Sequence, residues 1–271
     1  MKRATALISL VALLAAACVT SPTGRRQLML VSEGQAIAAS REAYVAQISE
    51  LTRTGKLVTD PAVLRRVDAI TGRLIAQAII MRPDTADWEW SVEVIDEPDT
   101  VNAWCMAGGR MAIYTGLIQK LDATDDEIAQ VMGHEIAHAL ANHTAERMSV
   151  AMATNLGVAA VGALSERGEA MSVAATAAAL AIQLPNSRTS ESEADRIGIE
   201  LAAKAGYDPD AAVTLWQKME RNAGGGPPAF LSTHPSPGQR QEVLAALAPQ
   251  MMQYYDPAGD RPVYRIRRTA P

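Results

Sequence analysis

The stretch VMGHEIAHAL, from Val131 to Leu140, constrains this chain more than any other feature. It holds two histidines four residues apart, with a glutamate directly after the first. On an α-helix, at about 100° per residue, His134 and His138 lie only about 40° apart. Two imidazoles then reach one metal ion, and Glu135 projects beside it towards a water molecule. The stretch predicts a zinc-binding helix. The alternative is an amphipathic helix that merely contains histidine, because so short a pattern also arises by chance.

The residues before this motif mark the start of such a helix. Thr124 is followed three residues later by Glu127, which is the pattern of a capping box, and the intervening acidic residues suit a helix N-terminus. The helix is predicted to run to about Arg147, so the two histidines lie well inside it.

A catalytic zinc site takes three protein ligands, so one more ligand is needed. The chain contains four histidines, at positions 134, 138, 143 and 234. His143 follows His138 by five residues, about 140° round a continuous helix, and is therefore predicted to face away, with a structural or surface role. The third ligand must come from elsewhere in the chain.

The acidic segment SRTSESEADRIG, residues 187–198, offers candidate ligands. Glu191 and Asp195 share a helix face, and Glu193 points away from both. One carboxylate can bind the metal while the other accepts a hydrogen bond from a ligand histidine. The alternative is an acidic helix N-terminus that only complements the helix dipole.

The N-terminus resembles an export signal. A basic start precedes the apolar run ATALISLVALLAAAC, which is too short for a comfortable membrane span. The last residues of this run resemble a bacterial lipobox that ends at Cys18. Residues 1–17 are therefore predicted to be a signal peptide and residues 18–30 a lipid-anchored tether. Valine rather than aspartate at position 19 favours the outer membrane. An ordinary signal peptide cut near Ala17 is the alternative.

The remaining patterns predict an α+β fold that is mainly helical. Aromatic residues make up only 4% of the chain and much of its apolar content is alanine, which favours helices. Trp88–Ile95 and Arg110–Thr115 are predicted strands. We expect a zincin-type active-site helix beside a small antiparallel sheet, in one domain over residues 31–250, with a flexible tail over 251–271.

The charge and hydropathy of the chain indicate which kinds of partner it can have. The formal net charge is −5 and no basic stripe is present, which argues against a nucleic-acid partner. Residues 148–164 carry no charge, and a second apolar run lies before residue 184. Buried helices or a flap over the active site are favoured for residues 148–182, because the first run is short and rich in small polar residues. An integral membrane hairpin is the alternative.

Several stretches, taken in order, resemble one family. They are PTGRRQLMLVSE, VNAWCMAGGRMAIYTGLI, HEIAHAL, SRTSESEADRIGIELAAKAGYDP and THPSPGQR. Together they resemble the gluzincin metalloendopeptidases that include CAAX prenyl proteases, the mitochondrial Oma-type protease and bacterial BepA-like proteases. The similarity extends from residue 22 to about residue 240 and is strongest with the short lipid-anchored members.

This resemblance implies roles for individual residues. His134, His138 and Glu191 would be the ligands of one Zn²⁺ per chain, because the family places its carboxylate ligand at the start of the E-x-x-A-D segment. Glu135 would be the general base, and Asp195 would hydrogen-bond a ligand histidine.

The resemblance also implies features around the cleft. Asn102 and Ala103 would lie at the edge strand to which an extended peptide adds. His234 would approach the zinc and occupy its open position in a latent state, although a simple loop histidine is the alternative. Cys105 is interpreted as a small, half-buried residue near the cleft.

The expected function is that of a zinc metalloendopeptidase anchored in the outer membrane and facing the periplasm. Its substrates would be misfolded or misassembled envelope proteins, outer-membrane proteins among them. An outer-membrane assembly machinery is a candidate partner by analogy. A chaperone or assembly lipoprotein with little proteolytic activity is the alternative.

Overall fold

Helices dominate the described part of the chain. The computed structural model describes residues 18–164, 186–222, 229–234 and 240–266. Its helices are α1 (Glu33–Arg53), α2 (Pro61–Met81), α3 (Thr115–Gln119), α4 (Asp125–Leu140), α5 (His143–Leu164), α6 (Arg188–Lys204), α7 (Ala211–Arg221), α8 (Ala229–Thr233) and α9 (Arg240–Met251). Its strands are β1 (Cys18–Thr20), β2 (Arg26–Leu28), β3 (Ser91–Ile95), β4 (Ala103–Met106) and β5 (Arg110–Tyr114). The α+β, mainly helical prediction is confirmed.

Side-chain caps define where the long helices begin. Ser32 forms a capping box with Gln35 at the start of α1. Asp60 accepts a hydrogen bond from the backbone of Ala62, and proline follows Asp60 at the first position of α2. Thr124 and Glu127 form the predicted capping box of α4. Each cap satisfies backbone N–H groups that have no partner within the helix.

The three-stranded sheet is mixed, whereas an antiparallel sheet was predicted. The central strand β5 pairs parallel with β3 and antiparallel with β4. The stretch VNAWCMAGG explains the difference. It supplies strand β4, which forms the hairpin with β5 and leaves β3 on the other side with the same direction as β5. Ala103 and Cys105 of β4 are buried, and the two residues that alternate with them are partly exposed.

Helix α4 lies at the centre of the molecule. Every residue from Glu127 to Leu140 is buried. The helix packs mainly against α6, and also against α2, α7 and β4. Because all of its faces are covered, polar side chains on this helix must find partners inside the protein.

The predicted continuation of this helix to Arg147 is wrong. α4 ends at Leu140, and α5 begins at His143 after a turn. Asn142 has a backbone φ of 56°, in the left-handed region that asparagine tolerates better than most residues. This turn changes the direction of every side chain that follows, including that of His143.

Residues 18–28 of the predicted tether and residues 251–266 of the predicted tail make contacts with the domain. Residues 18–28 form an antiparallel hairpin, β1–β2, in which Cys18 is paired with Leu28. The predicted tail begins inside α9, and its backbone returns to α2, where Tyr264 N–H donates to the carbonyl of Gly72 at 2.9 Å. Hydrogen bonds hold residues 18–28 and Tyr264 to the rest of the domain, and the tether and the flexible tail stay predictions.

Two predictions fall partly or wholly outside the described residues. The signal peptide over residues 1–17 lies outside them. Of residues 148–182, those up to Leu164 belong to α5, and the rest lie outside the described ranges. Within the described ranges, none of the helices combines the length and the apolar character that crossing a bilayer requires.

Candidate metal centre

Four side chains bring their ligand atoms together at the middle of α4. His134 and His138 come from α4, Glu191 comes from the first turn of α6, and His234 follows α8 directly. All four side chains are buried, and their ligand atoms lie within 4.8 Å of one another. The structure therefore places the three predicted ligands and the predicted gating histidine around one point.

The spacing of these atoms suits a tetrahedral ion. His134 Nε2 lies 3.0 Å from His138 Nε2 and 3.3 Å from His234 Nδ1. Glu191 Oε1 lies 3.3 Å from His138 Nε2 and 3.0 Å from His234 Nδ1. Zinc ligands at about 2.0–2.2 Å from a tetrahedral ion are separated from one another by about 3.3 Å. Three imidazoles and one carboxylate form a donor set that fits Zn²⁺.

The protonation of these groups agrees with a metal site. Burial holds the pKa of His138 well below its usual 6.5, so this imidazole is neutral, which is the metal-binding form. For His134, burial and Arg240 lower the pKa, but hydrogen bonds with Asp195 and Glu191 raise it by more, to about 9. A proton shared between His134 and Glu191 would therefore leave when a metal ion binds.

Glu135 has the environment of a proton acceptor. Its carboxylate is buried, and burial raises its pKa above the usual value. Oε1 lies 3.3 Å from His234 Nε2 and accepts no hydrogen bond from the described residues. The backbone of Cys105 on β4 bonds the same carboxylate, which ties it to the sheet edge. A buried carboxylate oxygen without a donor is poised to take a proton.

Asp195 lies beside the ligand candidate His134. Its Oδ1 is 3.0 Å from Nδ1 of His134, so this nitrogen donates to the carboxylate and Nε2 faces the cluster. Such a carboxylate fixes both the tautomer and the ring orientation of a ligand histidine.

Arg240 was not predicted to be a site residue, although it is the last residue of the stretch THPSPGQR. The residue is only 2% exposed. Nη1 donates to Glu191 Oε2 at 2.9 Å, and Nη2 donates to Asp195 Oδ1. The guanidinium also lies over the ring of Trp216, 3.9 Å from its centroid. This buried cation compensates two carboxylates, but a single arginine carries no sequence signal for such a position.

The prediction that His143 faces away is wrong. His143 is buried, its Nδ1 lies 2.7 Å from Nδ1 of His138, and its Nε2 lies 3.1 Å from Oε2 of Glu193. The turn at Asn142 reverses the side chain's direction relative to a continuous helix. His143 is outside the four-residue ligand cluster, so it is a neighbour of a ligand. Glu193 points away from Glu191 as predicted, yet it is buried too.

His234 is held by an aromatic side chain. Its ring stacks on Phe230 with 4.4 Å between the centroids and an interplanar angle of 16°. Phe230 in turn packs against Trp216, and its backbone N–H donates to the carbonyl of Val101, just before β4. These contacts join α8 to both the sheet edge and α7.

A cavity of about 430 Å³ lies beside the cluster, between β4 and α5. Its lining includes Asn102, Ala103, Cys105, Arg147 and His234. Cys105 is buried rather than half-buried, and burial raises the pKa of its thiol, so it is protonated at neutral pH. The two edge-strand residues named from the sequence therefore face the same space as the metal cluster.

Comparisons with known proteins agree with this arrangement. The sequence model described as Peptidase family M48 matches residues 61–248. The chain is 40% identical to the mitochondrial metalloendopeptidase OMA1 of Arabidopsis thaliana over 58% of this chain and 31% of that protein. It is 34% identical to the mitochondrial metalloendopeptidase OMA1 of Bos taurus, over 86% of this chain and 46% of that protein.

A bacterial relative is similar as well. The chain is 29% identical to the beta-barrel assembly-enhancing protease of Escherichia coli O157:H7, over 82% of this chain and 47% of that protein. The chain thus spans about half or less of the length of these relatives. The family match covers most of this chain, from the start of α2 to residue 248 within α9, and includes both helices that carry the metal cluster. The chain belongs to peptidase family M48.

Proposed function

We propose that this chain is a zinc-dependent metalloendopeptidase of the bacterial cell envelope. Its substrates would be misfolded or misassembled proteins, outer-membrane proteins among them. The observation that carries the proposal is the buried Oε1 of Glu135, which accepts no hydrogen bond from the described residues, next to a cluster of three imidazoles and one carboxylate. The relatives named as metalloendopeptidases support the activity, and the Escherichia coli relative supports the envelope setting.

In the proposed reaction, His134, His138 and Glu191 would hold the ion. Zinc bound there would supply Lewis acidity towards the scissile carbonyl and the attacking water. Glu135 takes the proton of this water at Oε1 and delivers it to the leaving amine. Asp195 keeps Nδ1 of His134 protonated, which leaves Nε2 free to face the ion.

The substrate peptide would lie along β4. Asn102 and Ala103 line the cavity beside the cluster, and β4 has a strand neighbour on one side only among the described residues. An extended peptide can pair with such an edge through backbone hydrogen bonds, which accept many sequences. This mode suits a protease that acts on unfolded segments.

His234 would act as a gate. Its Nδ1 takes the position of a fourth ligand, and its Nε2 lies 3.3 Å from the oxygen of Glu135 that would accept the proton. With His234 in this position, a catalytic site has no open place for substrate or water. Substrate or a partner would have to displace the histidine before hydrolysis.

The proposed location rests on Cys18 as a lipidated residue and on Val19 as the sorting position. Lipid at Cys18 would hold the domain at the periplasmic face of the outer membrane. There it would meet envelope substrates and an outer-membrane assembly machinery, the proposed partner.

The decisive experiment compares the full-length wild type, Glu135→Gln and Glu220→Gln, purified in detergent. Glu220 is an exposed residue of α7 and provides the matched control. We expect all three to contain zinc, and Glu135→Gln to cleave casein about 10²–10⁴-fold more slowly than the other two. Equal cleavage by Glu135→Gln would refute the mechanism. Rescue of envelope assembly by Glu135→Gln in cells would favour the chaperone alternative. This alternative is tested because His234 occupies the position that a substrate or water would need.

A further inference from the structure

The hairpin β1–β2 reaches a carboxylate close to the metal cluster. The hydroxyls of Ser21 and Thr23 donate to Oε1 of Glu193, and Arg25 Nε donates to Oε2 at 2.7 Å. Glu193 and Ser21 are each only 6% exposed. Three donors from one short hairpin converge on a buried carboxylate of α6, although about 170 residues separate them in sequence.

The same hairpin holds the turn that precedes His143. The guanidinium of Arg25 binds Glu146 of α5 through two hydrogen bonds of 2.6 Å. Gln27 donates to the carbonyl of Ala141 at 2.7 Å, at the C-terminal end of α4, and to Glu146 at 3.0 Å. Paired guanidinium–carboxylate bonds fix orientation as well as distance. The hairpin therefore fixes the turn and α6 with respect to each other.

Proton positions link Glu193 to a metal ligand. His138 turns Nε2 towards the cluster, so its other nitrogen, Nδ1, carries the proton of the neutral ring. That proton is donated to Nδ1 of His143 at 2.7 Å, and His143 then donates from Nε2 to Glu193 Oε2 at 3.1 Å. Each ring nitrogen of His138 and His143 is then either a donor or an acceptor, without conflict. Glu193 thus receives donors from the hairpin on one side and from the ligand's neighbour on the other.

We propose that the hairpin over residues 18–28 is a positioning element of the metal centre. Arg25 fixes Glu193, Glu193 orients His143, and His143 orients the ligand ring of His138. Partners that orient a metal ligand in this way contribute substantially to metal affinity. The proposal rests on the proposed function, because it takes zinc as the ion. It assigns a role in the metal site to a segment that begins with the proposed lipidated residue, Cys18.

The test measures zinc affinity rather than activity alone. Full-length wild type, Arg25→Met, Arg25→Lys and Arg26→Met are purified in detergent, and a chelator competes for their zinc. Arg26 is exposed and adjacent, so Arg26→Met is the matched control. We expect Arg25→Met to bind zinc about 10–100-fold more weakly than wild type and Arg26→Met to match wild type. Arg25→Lys should recover part of the loss, because lysine keeps the charge but donates from a single point.

A second readout separates positioning from folding. With Co²⁺ in place of zinc, the visible absorption of the ion reports on the geometry of its ligands. We expect an altered spectrum for Arg25→Met and an unchanged one for Arg26→Met. Glu193→Gln serves if Arg25→Met fails to fold, since it keeps the size of the side chain, and the same loss of zinc affinity is expected.

The outcomes distinguish the two proposals. Wild type without zinc would overturn the proposed function, and the positioning role with it. Zinc bound equally well by wild type, Arg25→Met and Glu193→Gln would overturn the positioning role alone and leave the zinc protease intact.

Discussion

The Cα of Gly198 on α6 lies against the backbone of His134 on α4. A Cβ atom at position 198 would lie 2.8 Å from both Cα and N of His134, and one at Gly133 would lie 2.9 Å from the carbonyl oxygen of Gly198. No side chain fits at this crossing. The close approach lets Glu191 on one helix reach the same point as the histidines on the other. The two glycines therefore determine the dimensions of the metal cluster.

Gly198→Ala should separate these helices. We expect a loss of about 1–3 kcal/mol in the free energy of unfolding, measured by chemical denaturation, because the added methyl group overpacks the crossing. Gly34→Ala on α1 is the control, since nothing lies within 4 Å of a Cβ at that position. It should be neutral or stabilising by about 0.5–1 kcal/mol. A Gly198→Ala variant as stable as Gly34→Ala would contradict the close packing.

If the proposed function holds, His234→Ala should increase proteolytic activity. The change opens the fourth ligand position and leaves His134, His138 and Glu191 in place. We expect retained zinc and casein cleavage about tenfold faster than wild type or more, equivalent to removing about 1.4 kcal/mol of competition for that position. Ser232→Ala, at an exposed residue of α8, should behave as wild type. Slower cleavage with zinc retained would instead assign His234 a direct part in catalysis.

Arg240→Met should make stability depend more strongly on zinc. Without the guanidinium, two buried carboxylates, Glu191 and Asp195, lack their cation. Breaking such a buried pair costs about 3–5 kcal/mol, and a bound zinc ion restores part of the missing positive charge. We expect the melting temperature of the metal-free variant to fall sharply, and zinc to raise it more than it raises that of wild type. An equal rise in both proteins would show that Arg240 does not compensate these carboxylates.

Glu127 gives a pH dependence whose sign follows from its partners. Burial raises the pKa of Glu127, but hydrogen bonds from Lys218, Thr124 N–H and Thr214 lower it by more, so it lies below the usual 4.5. A lowered pKa in the folded state contributes stability above about pH 4.5, and this contribution is lost as the pH falls through the folded-state value.

Glu127→Gln keeps the capping box but removes the charge. We expect a loss of about 1 kcal/mol in unfolding free energy near neutral pH, shrinking as the pH falls below about 4.5. Denaturant titrations across that pH range measure this loss of unfolding free energy, with Glu220→Gln as the control. A difference from wild type that is constant across the range would rule out the charged form as its source.

Local patterns were enough to predict the helix of His134 and His138 and its start at Thr124, because capping and helical periodicity are local properties. The direction of His143 was not predictable in this way. It depends on one residue, Asn142, whose backbone adopts the left-handed conformation. The periodicity of a regular helix does not predict side-chain directions beyond the residue at which the helix ends.

Long-range contacts explain the other differences between the predicted and the observed structure. Arg25 and Arg240 act on carboxylates that lie 168 and 49 residues away, and no spacing rule links them. The parallel pairing of β3 with β5 likewise depends on β4 taking the antiparallel side. Glu191 of the cluster and Glu193 beside it are both buried, and their partners distinguish them. Three histidines surround Glu191, whereas His143 and the N-terminal hairpin bind Glu193.

The alternating burial of β4 has a consequence for substrate choice. A peptide paired with this edge would turn every second side chain towards the cavity and the intervening ones away from it. The preference for particular side chains would then apply to every second residue of the substrate. Proline would be excluded wherever the edge requires a backbone N–H, whatever the neighbouring residues are. Cleavage sites compiled from a mixed peptide library should show this periodicity rather than a single strong consensus residue.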